Sequence, residues 1–231
     1  MSLIPYQDTR RHRVRPPLDR GQVVRAVLAL MDEVGLDGLT MRRLADRLGI
    51  KAASLYRHVR DKQELLVLVA DEIGGEIPVV ENGRPWQDML IDLAQRYRRG
   101  LLAHRDAARL LANTSPAGPR RLHAIDSLLG LLQSAGLGAR DAARAAYHLN
   151  NFVTEFVADE VRFSTAAERL GTSRENMLGE ARRHFRTLPP GEYPSLTKLA
   201  DYVAEDDADG LFQFGLDLWI RGLERLPEPR T

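Results

Sequence analysis

Residues 40–65 read Thr40-Met41-Arg42-Arg43-Leu44-Ala45-Asp46-Arg47-Leu48-Gly49-Ile50-Lys51-Ala52-Ala53-Ser54-Leu55-Tyr56-Arg57-His58-Val59-Arg60-Asp61-Lys62-Gln63-Glu64-Leu65, and this stretch decides the fold. Thr40 is an N-cap residue ahead of a short helix with Leu44 and Leu48 facing inward, and Gly49 stops that helix. A third helix is predicted from about Ala52 to His58, with Leu55 and Val59 towards the core. Asp61 followed three residues later by Glu64 is the start signal of a fourth helix running through Leu65, Leu68, Val69 and Ile73. Two short helices joined by a glycine turn and backed by longer ones make a helix-turn-helix. Ala45 is small where the two helices cross, while Ile50 and Leu55 anchor the second. Lys51, Ala52, Ala53, Ser54, Arg57 and His58 are left to point outwards. Small residues at 52–54 let a helix N-terminus lie close to base edges in a major groove. Tyr56, His58 and Lys62 can donate to backbone phosphates, which positions a module without reading sequence. The alternative is a plain three-helix packing motif with a solvated polar face.

Upstream, Val23, Val27, Leu30, Met31 and Val34 recur on one face of a helix, which Gly35 ends and Gly38 helps turn. Before it, residues 1–17 form a predicted flexible arm with Arg10, Arg11, Arg13 and Arg15 ahead of Pro16-Pro17. Such an arm can lay arginines into a minor groove, or serve as a tail with a non-specific phosphate role. Downstream, Gly74 to Pro85 reads as a boundary rich in Gly and Pro. Helices are then predicted at 86–103, 106–112, 118–135, 139–164, 173–187, 195–205 and 208–226. The chain is therefore expected to be all-α. Its expected parts are the arm, a helix-turn-helix domain over residues 18–77 and a larger helical body over residues 86–226.

The charge pattern agrees with that division. The 231 residues carry 33 basic and 32 acidic side chains, a net of +1. Residues 1–60 hold 12 Lys/Arg against 6 Asp/Glu, whereas residues 61–231 hold 21 against 26, so a head of +6 sits on a body of −5. That asymmetry suits one module meeting phosphates while the rest does something else. No cysteine is present, which excludes disulfides, thiolate metal sites and a cysteine nucleophile. There is no apolar run long enough for a membrane span and no apolar h-region near Met1, so a cytoplasmic protein is expected. The histidines (12, 58, 104, 123, 148 and 184) show no zinc-helix spacing, and neither a nucleophile elbow nor a phosphate loop occurs. An enzyme is not expected.

The run from Ala26 to Ala45, then Leu48-Gly49-Ile50, Ser54-Leu55-Tyr56-Arg57-His58-Val59, Lys62 and Leu65-Leu66, resembles the head of the tetracycline-repressor (TetR) family of regulators. The resemblance implies a homodimer that binds a palindromic operator as a transcriptional repressor and leaves it when a small ligand occupies the body. It places Arg42, Ser54, Tyr56, His58 and Lys62 at positions that touch DNA, and Ala52 and Ala53 where bases are read. Methyl groups there can contact only thymine methyls. Trp86-Gln87-Asp88, Leu101 to Ala108 and Phe212 to Glu224 resemble the tetracycline-repressor branch of that family. In it, the helices here near 139–164 and 208–226 build a four-helix bundle with their symmetry mates. The sequence pattern fits, since Leu211, Phe214, Leu218 and Gly222 share one stripe and Leu149, Phe152, Phe156 and Phe163 another. An internal core is the other use for such stripes.

The resemblance also bears on the ligand. The histidine that holds magnesium-chelated tetracycline aligns with Leu111, the asparagine that grips the antibiotic with Leu93, and an acidic position near the metal with Asp159. Leucine cannot coordinate a hard cation, so no cofactor or metal is expected, and a more apolar organic effector is. Candidate pocket residues are Tyr97, Thr114, Tyr147, Asn151 and Glu155, with Leu93 and Leu111 as apolar wall. Asn150 and Asn151 could equally hydrogen bond across a dimer seam, Tyr97 could be core, and His104 a cap or surface residue. A constitutive DNA-binding protein with no effector is the remaining alternative.

Overall fold

The computed structural model describes residues 18–76 and 83–226. Among them lie twelve helices and no strand. The basic arm, and with it Arg10, Arg11, Arg13 and Arg15, falls outside the described residues.

The head opens with α1 (Arg20–Gly38), whose first turn is closed by a capping box. The Asp19 carboxylate accepts from the Gln22 amide at 2.7 Å, and the Asp19 amide donates to the Gln22 side chain at 3.0 Å. Val23, Val27, Leu30 and Met31 are buried as the periodicity predicts, and the helix bends at Gly35. Thr40 Oγ1 accepts from the Arg43 amide and starts α2 (Met41–Leu48), which ends where Gly49 enters the left-handed region at φ 66°. A side chain at Gly49 would strain that turn, so the angle between the two short helices depends on it. The next helix is shorter than expected: α3 spans only Ala52–Leu55, and Tyr56 to His58 continue as turns. Leu55 and Val59 are both buried, so the apolar register is kept although the helix is not. α4 (Lys62–Gly75) begins at the Asp61 cap, which accepts from the Glu64 amide at 2.8 Å. Glu64 itself reaches back to the Arg60 amide at 2.6 Å, one residue earlier than a standard capping box.

The body comprises α5 (Trp86–Ala103), α6 (Ala107–Ala112), α7 (Pro119–Ser134), α8 (Ala139–Arg169), α9 (Arg174–Thr187), α10 (Pro194–Lys198), α11 (Ala200–Val203) and α12 (Ala208–Leu223). α8 runs five residues beyond its predicted end at 164, carrying Ala167 into a buried position. The helix expected at 195–205 is two short ones, α10 and α11, separated by Leu199, and α12 stops at Leu223. α8 is the spine on which α5, α6 and α7 pack, and α4 lies along α7. That last contact makes the core continuous: Leu65, Val69 and Ile73 of the head belong to the same apolar cluster as Leu90, Leu101 and Leu131 of the body.

One of the two stripes expected to pair between copies also makes contacts within the chain. Leu149 is buried, while Phe152 and Phe156 close around Phe212 of α12 with ring centroids 5.3 and 5.1 Å away. Phe163 lies under the Arg174 guanidinium at 5.1 Å. The other stripe stays open, with Leu211 at 52%, Phe214 at 63% and Leu218 at 55% exposure.

Candidate functional site

On the head, most of the residues predicted to meet DNA are open to solvent. Arg42, Lys51, Ala52, Ala53, Tyr56 and Arg57 are exposed, and Ser54 and His58 half-buried. Arg42 and Lys51 form no ion pair with any described residue, which leaves two cations for an external anion. Arg57 Nη2 lies 3.4 Å from Ser54 Oγ, holding it over α3. Other cations are committed. Arg47 pairs with Glu33 at 2.7 Å and holds that carboxyl below its ordinary range. Arg60 pairs with Glu64 at 3.2 Å. Lys62 is engaged in part: its Nζ donates one hydrogen bond to the Leu39 carbonyl at 2.7 Å from a half-buried position. Arg43 Nη1 likewise donates to the Gly38 carbonyl at 2.8 Å.

Head and body meet at a second set of contacts, none of which sequence reasoning identified. Arg105 donates to the Asp32 and Glu33 carbonyls at 3.1 and 3.2 Å, at the last turns of α1. Asp106, in the left-handed region at φ 61°, accepts from the Leu36 amide at 2.7 Å just past the α1 bend. Arg109 of α6 makes a bidentate pair with Asp37, which holds the carboxyl below its ordinary range. His104, predicted as a cap or surface residue, sits at the end of α5 with its ring 3.1 Å from Glu76 of the α4 terminus.

Inside the body, four of the seven predicted pocket residues turn inward. Leu93, Leu111 and Thr114 are buried, and the Tyr97 hydroxyl donates to Asn150 Oδ1 at 2.9 Å. Burial pushes the Tyr97 phenol up to about 12, so it remains a donor across the physiological range. Asn151 is half-buried and adjoins Asn150, whose Nδ2 lies 3.4 Å from Asn151 Oδ1. Tyr147 and Glu155 are not brought to this group. Tyr147 is 64% exposed, and Glu155 lies on the same outer face of α8. The reason is helical phase: Leu149, Val153 and Val157 turn to the core, and residues 147 and 155 fall on the opposite side. Asp159 is exposed and paired with Arg162 at 2.9 Å.

Arg121 carries no sequence signal yet organises the end of α6. Its guanidinium donates to Thr114 Oγ1 at 2.9 Å and to the Thr114 and Leu111 carbonyls at 3.1 and 3.3 Å, satisfying the open end of α6. Its own amide donates to the buried Asp71 of α4 at 2.8 Å. The end of α6 is thereby tied to α7 and α4 together. A separate open cleft of about 360 Å³ runs between Arg98, Glu160, Arg174 and Asp206. Both of its cations are engaged, Arg98 with Glu160 and Asp209, Arg174 with Asp206. These ion pairs tie α5 to α8 and α12, and α9 to the residues just before α12. Among the described residues no three His, Asp or Glu side chains gather as a metal site.

The likenesses to known proteins cover both parts. Residues 23–69 match the family model of bacterial regulatory proteins of the tetR family, and residues 78–226 match the tetracyclin repressor-like C-terminal domain. The class A tetracycline repressor of transposon 1721 from Escherichia coli is 35% identical over 214 residues, covering 90% of this chain and 91% of that one. The crystal structure of the Streptomyces coelicolor TetR family protein ActR in complex with actinorhodin superposes with a TM-score of 0.83 at 33% identity, over 91% of this chain and 97% of that one. A TetR variant from Acinetobacter baumannii in complex with minocycline gives 0.68 at 28% identity, over 93% and 97%.

Proposed function

The chain belongs to the tetR family of bacterial regulatory proteins, and on that premise we propose that two copies of it hold a palindromic operator until a small, largely apolar organic molecule enters the body. Such regulators are DNA-binding proteins and not enzymes. The observation that carries the operator reading is the exposure of α2 and α3 residues: Ala52 and Ala53 are small and open to base edges, and the cations Arg42 and Lys51 are exposed and form no ion pair with a described residue. Ser54, Tyr56, Arg57, His58 and Lys62 complete the candidate contacts. Residues 18–77 form the DNA-binding part in this reading and residues 86–226 the effector-binding and pairing part. The open stripe Leu211, Phe214 and Leu218 supplies a surface for a second copy, which sets two heads for two half-sites.

The effector class follows from what the interior offers. Among the candidate residues, Leu93 and Leu111 are buried and apolar and Tyr97, Asn150, Asn151 and Thr114 carry polar groups, a mixture suited to a polycyclic organic molecule. Relatives with ligands of that size support this over a constitutive binder: ActR is seen with actinorhodin and the Acinetobacter repressor with minocycline. Leucine at position 111 argues against delivery as a metal chelate.

The test uses the full chain to select duplexes from a random-sequence pool, followed by gel shift with actinorhodin and with minocycline, each with and without Mg²⁺. A two-fold symmetric consensus is expected, whose complex is dissociated by a polycyclic probe without a requirement for Mg²⁺. Binding of all duplexes alike would overturn the operator reading, and release only in the presence of Mg²⁺ would overturn the effector class.

A further inference from the structure

At the corner between α1 and α2, three consecutive residues are each held by a cation from a different helix. The Asp37 carboxylate takes both arms of Arg109 from α6 in the body, one of them at 2.9 Å. The Gly38 carbonyl accepts from Arg43 of α2 at 2.8 Å. The Leu39 carbonyl accepts from Lys62, the first residue of α4, at 2.7 Å. Lys62 is a candidate DNA contact and Arg43 an exposed cation of α2, and each spends only part of its donor capacity on the corner, since an ammonium has three N–H groups and a guanidinium five. The carbonyls therefore station two cations while leaving them able to donate elsewhere. The direction in which those carbonyls point is a property of the corner's backbone, and Arg109 of the body holds the Asp37 side chain at that corner.

We propose that Asp37 and Arg109 are positioning residues for DNA binding, through which α6 sets the stance of Arg43 and Lys62 at the phosphate backbone. The inference rests on the operator reading above. Neither residue need touch DNA. The bidentate geometry matters because two parallel bonds fix the orientation of the carboxylate as well as its distance. α6 is also the helix whose far end, at Leu111 and the nearby Thr114, is capped by Arg121. A movement of α6 would reach the corner directly through Arg109, without passing along α4.

Operator affinity and its salt dependence provide the test, measured by fluorescence anisotropy with a duplex that the wild-type chain selects from a random pool. Arg109→Gln is expected to weaken binding about two- to fivefold, the span of an exposed ion pair, with the slope of log affinity against log salt unchanged. Lys62→Met is expected to lower that slope by about one, as a lost phosphate contact does. Combining the two should cost less than the product of the separate losses, because Arg109 acts through Lys62. Arg109→Lys should recover part of the loss. The double variant Asp37→Asn with Arg109→Gln keeps the wild-type net charge and should stay weak. Both side chains are largely exposed, Asp37 at 81% and Arg109 at 45%, so the variants are expected to fold. Unchanged affinity of Arg109→Gln, a reduced slope for it, strict multiplicativity with Lys62→Met, or recovery in the charge-neutral double variant would each overturn the proposal. A wild-type chain that selects no duplex would overturn the operator reading itself, and this inference with it.

Discussion

Tyr56 and Ser54 lie side by side on the head yet are suited to different work. Tyr56 is 51% exposed at the end of α3, with a hydroxyl able to reach backbone phosphate. Tyr56→Phe is expected to weaken binding by about 1 kcal/mol for every duplex alike, the worth of one net hydrogen bond. Ser54, half-buried beside Arg57, is the proposed base contact, so Ser54→Ala should change which bases are preferred. Repeating duplex selection with each variant separates the two, and a shifted consensus for Tyr56→Phe would refute the division. Glu64 gives a pH signature in the same region. The Arg60 backbone amide, then its side chain, holds the Glu64 carboxyl below the ordinary 4.5. A depressed carboxylate stabilises the fold fully above its unfolded pKa, and the contribution is lost as pH falls below 4.5 through the folded value. Glu64→Gln should therefore reduce the fall in melting temperature between about pH 5 and 3, with little effect at pH 7. A wild-type slope retained by the variant would contradict that role. At this scale the sequence was legible wherever chemistry is local. Thr40 and Asp61 cap helices because a cap needs only the next three residues. Arg105, Arg109 and Arg121 were not legible, because their partners Asp32, Asp37 and Asp71 lie far away in the chain and nothing periodic marks such a pair.

At the scale of elements, helix existence followed from apolar period, and helix length did not always. α5 matches its predicted span because Pro85 and the corner at His104 bound it on both sides. α3 falls short because its register is held by two apolar residues, Leu55 and Val59, which a pair of turns can bury as well as a helix can. Between α6 and α7, contact between elements decides the geometry. A Cβ placed on Gly118 would lie 2.1 Å from Asp71 Cγ, inside the carboxylate that receives the Arg121 amide. The glycine is thus required by the approach of α4 to the N-terminus of α7. Gly118→Ala is expected to destabilise the chain by about 1–3 kcal/mol, in the range of overpacking in a closed site. Urea unfolding at pH 7 measures it, and a loss below about 0.5 kcal/mol would mean the loop shifts without cost. The variant should also loosen the end of α6, since Arg121 reaches Leu111 and Thr114 from the same place.

For the whole molecule, the decisive feature is an apolar surface that the chain leaves uncovered. Sequence periodicity identified two stripes for pairing, but periodicity states which residues share a face and not which neighbour covers it. Phe152 and Phe156 pack against Phe212, a contact between α8 and α12 that no local pattern encodes. What remains open on α12 is Leu211, Phe214 and Leu218, at i, i+3 and i+7. The head at +6 and the rest at −5 give the same picture in electrostatic terms. Two heads are needed for a palindrome, and acidic bodies can adjoin only where an apolar seam outweighs their repulsion. Phe214→Glu with Leu218→Glu puts four carboxylates at that seam in a two-fold pair, while both positions remain solvated in a single copy. Sedimentation velocity is expected to show a dimer for the wild type and a monomer for the double variant, with helical circular dichroism unchanged. The monomer should bind a half-site as the wild type does yet lose its advantage on the full palindrome, because linking two heads multiplies their affinities. A double variant that sediments as a dimer would place the seam elsewhere on the body and leave the α12 stripe without this role.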